Sequence, residues 1–252
     1  MLEIKELYGG YGAKTVLQGI TMTAHAGEIT VILGPNGCGK STLLKTVCGI
    51  LPATAGQVQL DGEQVLGLPA NQIAQKIAYL AQNRQIPDIT VGRLVLHGRF
   101  PYLSYPRRYR QEDYRTAQQV MEQMGISDLA QQPLGQLSGG QQQKAYIAMA
   151  LAQDTSVILL DEPTTFLDVS HQMQLLRQAR DLAQAGKHVI MILHDLPHAL
   201  ECADRVVLMD SGRVVIEGTA QQVYASGALE QVFGVRFSRV EIDGKWRYLC
   251  LE

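Results

Sequence analysis

Nine residues leave this chain few folds to choose from: Gly34-Pro35-Asn36-Gly37-Cys38-Gly39-Lys40-Ser41-Thr42, directly after the apolar run Ile29-Thr30-Val31-Ile32-Leu33. A strand that empties into a glycine-rich loop and then a helix gathers backbone N–H groups and the positive end of a helix dipole around one small volume. That volume suits a polyphosphate. Gly34, Gly37 and Gly39 let the backbone close around an anion without Cβ clashes, while Lys40 brings a mobile charge and Ser41 a hydroxyl for Mg²⁺. By composition alone, a G-x-x-x-x-G-K-[ST] match arises in about one chain of this length in a hundred. The strand before it and the apolar helix after it, with Leu43, Leu44 and Val47 ending at Gly49, lower those odds further.

At 252 residues and 46% hydrophobic, the chain can bury a large core, and one nucleotide-binding unit with subdomains is the expectation. Basic and acidic residues number 22 and 24, so there is no global basic field and a nucleic-acid partner is not favoured. No apolar stretch approaches the roughly 20 residues that span a bilayer. Met1-Leu2-Glu3-Ile4-Lys5 lacks the apolar core of a secretory signal, which points to the cytoplasm. Cys38, Cys48, Cys202 and Cys250 are scattered without a C-x-x-C pair, a pattern that suits a reducing compartment and argues against structural zinc.

Residues 1–28 alternate weakly around Gly9-Gly10-Tyr11-Gly12 and read as short antiparallel strands, with Tyr11 placed where a ring could stack on a purine. Val58 and Leu60 lead into an Asp61-Gly62 hairpin turn; Ile73 to Lys76 reads as helix, Ile77 to Leu80 as strand, and Ala81-Gln82-Asn83 as its polar exit. From Ile89 to Leu134 the spacing turns helical. Inside that region, Gly98 to Arg110 interleaves prolines, arginines and aromatics, which suits a protein-docking surface better than an RNA contact in an acidic chain. Val157 to Leu160, Val189 to Leu193 and Val206 to Met209 are short continuous apolar runs separated by helical segments (Val169 to Ala185, Pro197 to Ala203), the pattern of a parallel sheet covered on both faces. The tail from Gln231 carries a hairpin around Asp243-Gly244 and has no assignable role.

In open α/β sheets ligands bind at the carboxyl ends of strands. The first apolar run releases the phosphate loop, the Val157 run releases Asp161-Glu162-Pro163-Thr164, and the Val189 run releases His194-Asp195. These are the parts of phosphoryl transfer to water: Asp161 for the Mg²⁺ shell, Glu162 as general base and His194 as a γ-phosphate donor that orients the water. Leu137-Ser138-Gly139-Gly140-Gln141 opens a long helix (Gln142 to Gln153), with Ser138 as N-cap of a second anion-binding helix start. Two such starts on one chain point to a two-fold dimer, in which the phosphate loop of one copy faces Ser138 to Gln141 of the other across ATP.

With these residues in order, the sequence resembles the ATP-binding subunits of ABC transporters, over essentially the whole chain to about residue 220. The motifs that carry the likeness are Tyr11, Walker A (Gly34 to Ser41), the Q-loop Gln82, the Leu-Ser-Gly-Gly-Gln signature, Walker B with its glutamate (Val157 to Glu162), the D-loop Phe166-Leu167-Asp168 and the switch His194. The resemblance implies an α/β P-loop NTPase fold: a RecA-like mixed-sheet core, an antiparallel β subdomain, and a helical signature-motif subdomain at about residues 84–150. These lie inside a nucleotide-binding domain of 1–220, followed by a tail of 221–252. It implies ATP and Mg²⁺ as ligands, with nucleotide contacts from Tyr11, the Gly34 to Thr42 loop, Ser138 to Gln141 and Asp168. Ser41, Gln82 and Asp161 would surround the metal; Glu162, His194, Lys40 and Gln82 would be catalytic. Phe166 stands where a small residue is common in the family.

Within that family, four stretches look most like importers of iron-siderophore, haem and cobalamin type. They are Gly34 to Leu44, the Thr90-Val91 to Pro101 passage, Asp161 to Asp168 with His171-Gln172, and Leu193 to Leu196. Zinc or manganese and molybdate importers carry close variants, and a soluble iron–sulfur assembly ATPase is the alternative outside transport. The implied partners are a second copy, membrane permease subunits and, indirectly, an external substrate-binding protein, with the chain peripheral on the cytoplasmic face of the inner membrane.

Overall fold

The computed structural model describes residues 1–82, 86–165 and 167–251. Asn83, the end of the polar strand exit, and Phe166 of the D-loop lie outside the described residues. The weak alternation near the start becomes two longer strands than expected, β1 (Leu2–Tyr11) and β2 (Lys14–Ala24), paired antiparallel with several bulges. β3 (Ile29–Leu33) is wholly buried and runs through the phosphate loop into α1 (Lys40–Val47). β4 (Ala53–Leu60) and β5 (Glu63–Gln64) form the hairpin around Asp61-Gly62, and α2 (Ala70–Lys76) leads into β6 (Ile77–Leu80). Helices α3 (Val91–His97), α4 (Gln111–Gln123) and α5 (Gly139–Ala152) follow. The βα alternation then runs through β7 (Val157–Asp161), α6 (Val169–Gln184), β8 (His188–Ile192), α7 (Leu196–Cys202) and β9 (Arg205–Asp210). β10 (Arg213–Gly218) turns back, and α8 (Ala220–Ala225), α9 (Ala228–Phe233) and the hairpin β11 (Arg236–Ile242) with β12 (Lys245–Leu251) come last.

Two main sheets result. One is antiparallel, in the order β2-β1-β4-β5; the other runs β10-β9-β3-β8-β7-β6, parallel except for the β10–β9 pair. The central strands are apolar at almost every position, Thr30, Asp161 and His188 being the exceptions, because each faces two cores. In β7, Ile158 and Leu160 enter one apolar cluster and Val157 and Leu159 the other; in β8, Val189 and Met191 are split in the same way from Ile190 and Ile192. Burying each such side chain stabilises the fold by about 1.5–3 kcal/mol. β3 lies between β8 and β9, and β8 between β3 and β7, so the carboxyl ends of β3, β8 and β7 are neighbours on one edge.

Two departures from the sequence reading have local causes. α5 starts at Gly139, directly after its cap, since Ser138 and Gln141 form a reciprocal capping box strong enough to carry two glycines into the first turn. α8 and α9 were not anticipated; a Thr219–Gln222 capping box starts the first, and left-handed glycines at 227 and 234 bracket the second. The proline- and arginine-rich passage, which the sequence reads as without regular structure, carries a 3₁₀ turn at Phe100–Tyr102 and is anchored. Arg99 pairs with Asp113 at 3.1 Å and donates to the Ala152 carbonyl at 3.0 Å, and the Tyr102 hydroxyl donates to the Gln153 carbonyl at 2.8 Å. Tyr105 in the same passage is 96% exposed. Among the described residues no helix is long and apolar enough to cross a membrane.

His188, the first residue of β8, is buried, and its Nε2 has no hydrogen-bond partner among the described residues. Burial pushes its pKa below the usual imidazole value, so the unfolded chain binds a proton that the folded chain refuses. Stability is therefore full above pH of about 6.5 and declines as pH falls from there toward the lower folded value. Unfolding midpoints measured from pH 8 to pH 5 should drop across that window, and His188→Gln should flatten the drop.

Candidate functional site

The phosphate loop is built from backbone geometry. Gly34 sits at φ +152°, Gly37 at +80° and Gly39 at +108°, a run that L side chains adopt only with strain. At Gly34 an added Cβ would lie 2.1 Å from the Met209 carbonyl, so β9 leaves it no room. Gly39 precedes α1 without any side-chain cap, leaving the first-turn N–H groups available to an anion. Lys40, 6% exposed, lays its ammonium on the loop itself, donating to the carbonyls of Gly34 (2.6 Å) and Pro35 (2.9 Å). Uncapped donors, open glycine backbone and a buried cation held by neutral carbonyls fit a polyphosphate. The thiol of Cys38 in this loop is buried, and burial raises its pKa, as befits a packing residue rather than a nucleophile. Tyr11 is 49% exposed where β1 meets the turn into β2, and Val16 on that hairpin packs beside Gly39.

The carboxylates at the end of β7 are held in two separate grips. Asp161, 2% exposed, accepts from the Ser41 hydroxyl at 2.9 Å on Oδ1 and from the Tyr79 hydroxyl at 2.8 Å on Oδ2. Glu162 meets His194 Nε2 at 2.5 Å on Oε1, and on Oε2 it accepts from the Gln82 amide and from the Thr165 hydroxyl at 3.4 Å. Its backbone is left-handed at φ +49°, a strain of about 1–2 kcal/mol. One hydroxyl and one carboxylate, both hard oxygen donors, fit Mg²⁺, which is held by one or two carboxylates together with substrate phosphates. Gln82, read from the sequence as a metal neighbour, donates its amide N–H to Glu162 Oε2.

Ser138 and Gly139 are exposed at the head of α5. Among the described residues no hydrogen bond joins Ser138 to Gln141 with the phosphate loop. α5 is tied instead to the strand-end segment through Gln143, whose amide donates to the Pro163 carbonyl at 2.8 Å. Asp168 caps α6 by accepting from the His171 backbone and ring and from Ser170, and these bonds lower its carboxyl pKa to about 2. The His171 ring lies against Gly140, which brings the D-loop to the signature within one chain. Two contacts went unread in the sequence, Tyr79 on Asp161 and Thr165 on Glu162. The signal for the first was a lone hydroxylated side chain inside an otherwise aliphatic strand; for the second there was none.

The sequence profile of the ABC transporter family matches residues 17–165. The ferric enterobactin transport ATP-binding protein FepC of Escherichia coli is 41% identical over 92% of this chain and 86% of its own length. The iron(3+)-hydroxamate import ATP-binding protein FhuC of Bacillus subtilis is 40% identical over 93% and 88%, and the hemin import ATP-binding protein HmuV of Streptomyces coelicolor is 37% identical over 88% and 79%. Among solved structures, a metal-chelate type ABC transporter in an inward-facing conformation superposes with a TM-score of 0.85 at 28% identity, covering 100% of this chain and 97% of that one.

The two loop glycines separate steric from conformational cost. Gly37 has open space around a built Cβ, so Gly37→Ala should lose only the roughly 1–2 kcal/mol of a left-handed alanine. Gly34→Ala adds the clash with Met209 and should lose more, read by denaturant unfolding without nucleotide.

Proposed function

The chain belongs to the ABC transporter family as one of its ATP-binding, ATP-hydrolysing subunits, and from that premise we propose that it powers uptake of a chelated-iron substrate, of ferric-siderophore, haem or cobalamin kind, through a membrane permease. The grouping of Glu162 with Gln82 and His194, one residue along from the Ser41–Asp161 pair, carries the catalytic part of this reading. Likeness to siderophore and hemin import subunits supports the substrate class.

In this reading Tyr11 stacks on the adenine, and the Gly34 to Thr42 loop with Lys40 holds the phosphates. Ser41 and Asp161 would hold Mg²⁺, which when bound neutralises charge gathering on the phosphate oxygens. Glu162 takes the proton of the attacking water. His194 and Gln82 keep that carboxylate aimed, and His194 is placed to donate toward the γ-phosphate. The exposed Ser138 to Gln141 turn, with Asp168 beside it, serves the nucleotide of a second copy, so the working unit is a homodimer. The passage from Gly98 to Arg110 docks the permease, which puts the chain on the cytoplasmic face of the membrane with an external binding protein as indirect partner. Residues 1–220 form the nucleotide-binding unit, with the helical part at about 84–150 and the tail from 221 outside it.

Glu162→Gln keeps the shape of the side chain and removes the base. It should bind ATP normally, lose turnover by roughly a hundred- to ten-thousand-fold, and elute as an ATP-bridged dimer in size-exclusion chromatography. A variant that stays monomeric in saturating ATP and Mg²⁺ with purified permease present would overturn the pairing. Stimulation of ATP hydrolysis by permease and a binding protein loaded with one chelate among several tested would identify the cargo.

A further inference from the structure

We propose that Tyr79 is a positioning residue for Asp161, fixing the orientation in which that carboxylate meets Mg²⁺. The inference rests on the assignment of Asp161 to the metal given above. β6 pairs in parallel with β7, and Tyr79 lies in register with Leu159, two residues before Asp161. Two residues of parallel strand advance about 6.6 Å, close to the reach of a phenol side chain. The hydroxyl thus spans the gap and donates to Asp161 Oδ2 at 2.8 Å, while Ser41, from α1, donates to Oδ1 at 2.9 Å.

The terminal torsion of an aspartate is soft and roughly two-fold, so one tethered oxygen decides where the other points. Tyr79 occupies Oδ2 and leaves Oδ1, with its spare lone pair, turned to Ser41 and the phosphate loop. A carboxylate oxygen can only accept, so the phenol O–H acts toward Asp161 as donor. The ring packs against the buried cluster that includes Leu43 and Leu44. None of the phosphate-loop, strand-end or signature motifs includes this residue.

Tyr79→Phe keeps the ring and deletes the donor. Binding of a fluorescent ATP analogue would be titrated in EDTA and then across Mg²⁺ concentrations, alongside ATP hydrolysis over the same range and a thermal melt. Tyr79→Phe should bind the analogue in EDTA as the parent chain does, and should need about 10–100-fold more Mg²⁺ for half-maximal enhancement of binding and half-maximal hydrolysis. An unchanged Mg²⁺ midpoint, even with a lowered melting temperature, would make Tyr79 a packing residue only. Asp161→Asn is the control. If it shifts the Mg²⁺ midpoint and Tyr79→Phe does not, the Tyr79 assignment falls alone; if neither shifts it, Asp161 is not the metal's residue and both readings fall.

Discussion

One rung of backbone pairing sets the geometry of everything above it. Ile32 of β3, Ile192 of β8 and Asp161 of β7 stand side by side in the parallel ladder, with Val207 of β9 on the other flank of Ile32. The phosphate loop starts two residues beyond that rung on β3, His194 lies two beyond it on β8, and Glu162 one beyond it on β7. A slip of one residue in any of these strands would exchange its two buried faces between the two cores. The register is therefore protected by burial on both sides, and the site inherits a precision that loops alone would not supply.

The charges gathered at this edge are solvated by dipoles rather than by each other. Lys40 rests on carbonyls, Asp161 on two hydroxyls, and Glu162 on an amide, a hydroxyl and an imidazole nitrogen. Had Lys40 been paired directly with Asp161, a phosphate would have to break a buried ion pair to enter, which is costly in a site of low polarity. Held as they are, cation and carboxylate both keep capacity for a new partner. The two consecutive carboxylates keep separate partners, Asp161 meeting Ser41 and Glu162, on a left-handed backbone, meeting Gln82 and His194.

How much of this could be read from residues alone depended on whether the cause was local. The apolar runs of β3, β7 and β8 announced themselves because a strand covered on both faces has no polar alternate positions. The groups each strand released were legible for the same reason, since Gly34, Glu162 and His194 directly follow those runs. α8 and α9 were hidden because their polar, short sequence has little helical period, and two glycines and a threonine cap do the work of defining them. The start of α5 was misplaced because glycine propensity argued against a helix that the Ser138–Gln141 box nonetheless begins. The grip of Tyr79 on Asp161 joins residues 82 positions apart and exists only once β6 pairs with β7, so no local pattern could give it.

The docking passage proposed for the permease is not an isolated loop, and its ties suggest how a pull on it would be felt. Arg99 and Tyr102 hold the carbonyls at the end of α5, at Ala152 and Gln153. Gln153 in turn donates to the carbonyls of Ala74 (2.5 Å) and Ile77 (3.1 Å), and Gln75 donates to Pro101 at 2.8 Å. One knot thus joins the docking passage to two rigid elements. α5 leads from it to the exposed Ser138 turn, and β6 leads from it to Tyr79 and then Gln82. A displacement at residues 99–102 would have to break these bonds or move both elements together, and breaking them would strand buried carbonyls. Moving them together would change the presentation of Ser138 and the position of the Gln82 amide on Glu162 in a single step. Along the chain residues 99–102 lie far from Glu162, but the Gln153–Ile77 bond, strand β6 and the Gln82–Glu162 bond join the end of α5 to that carboxylate in a few steps.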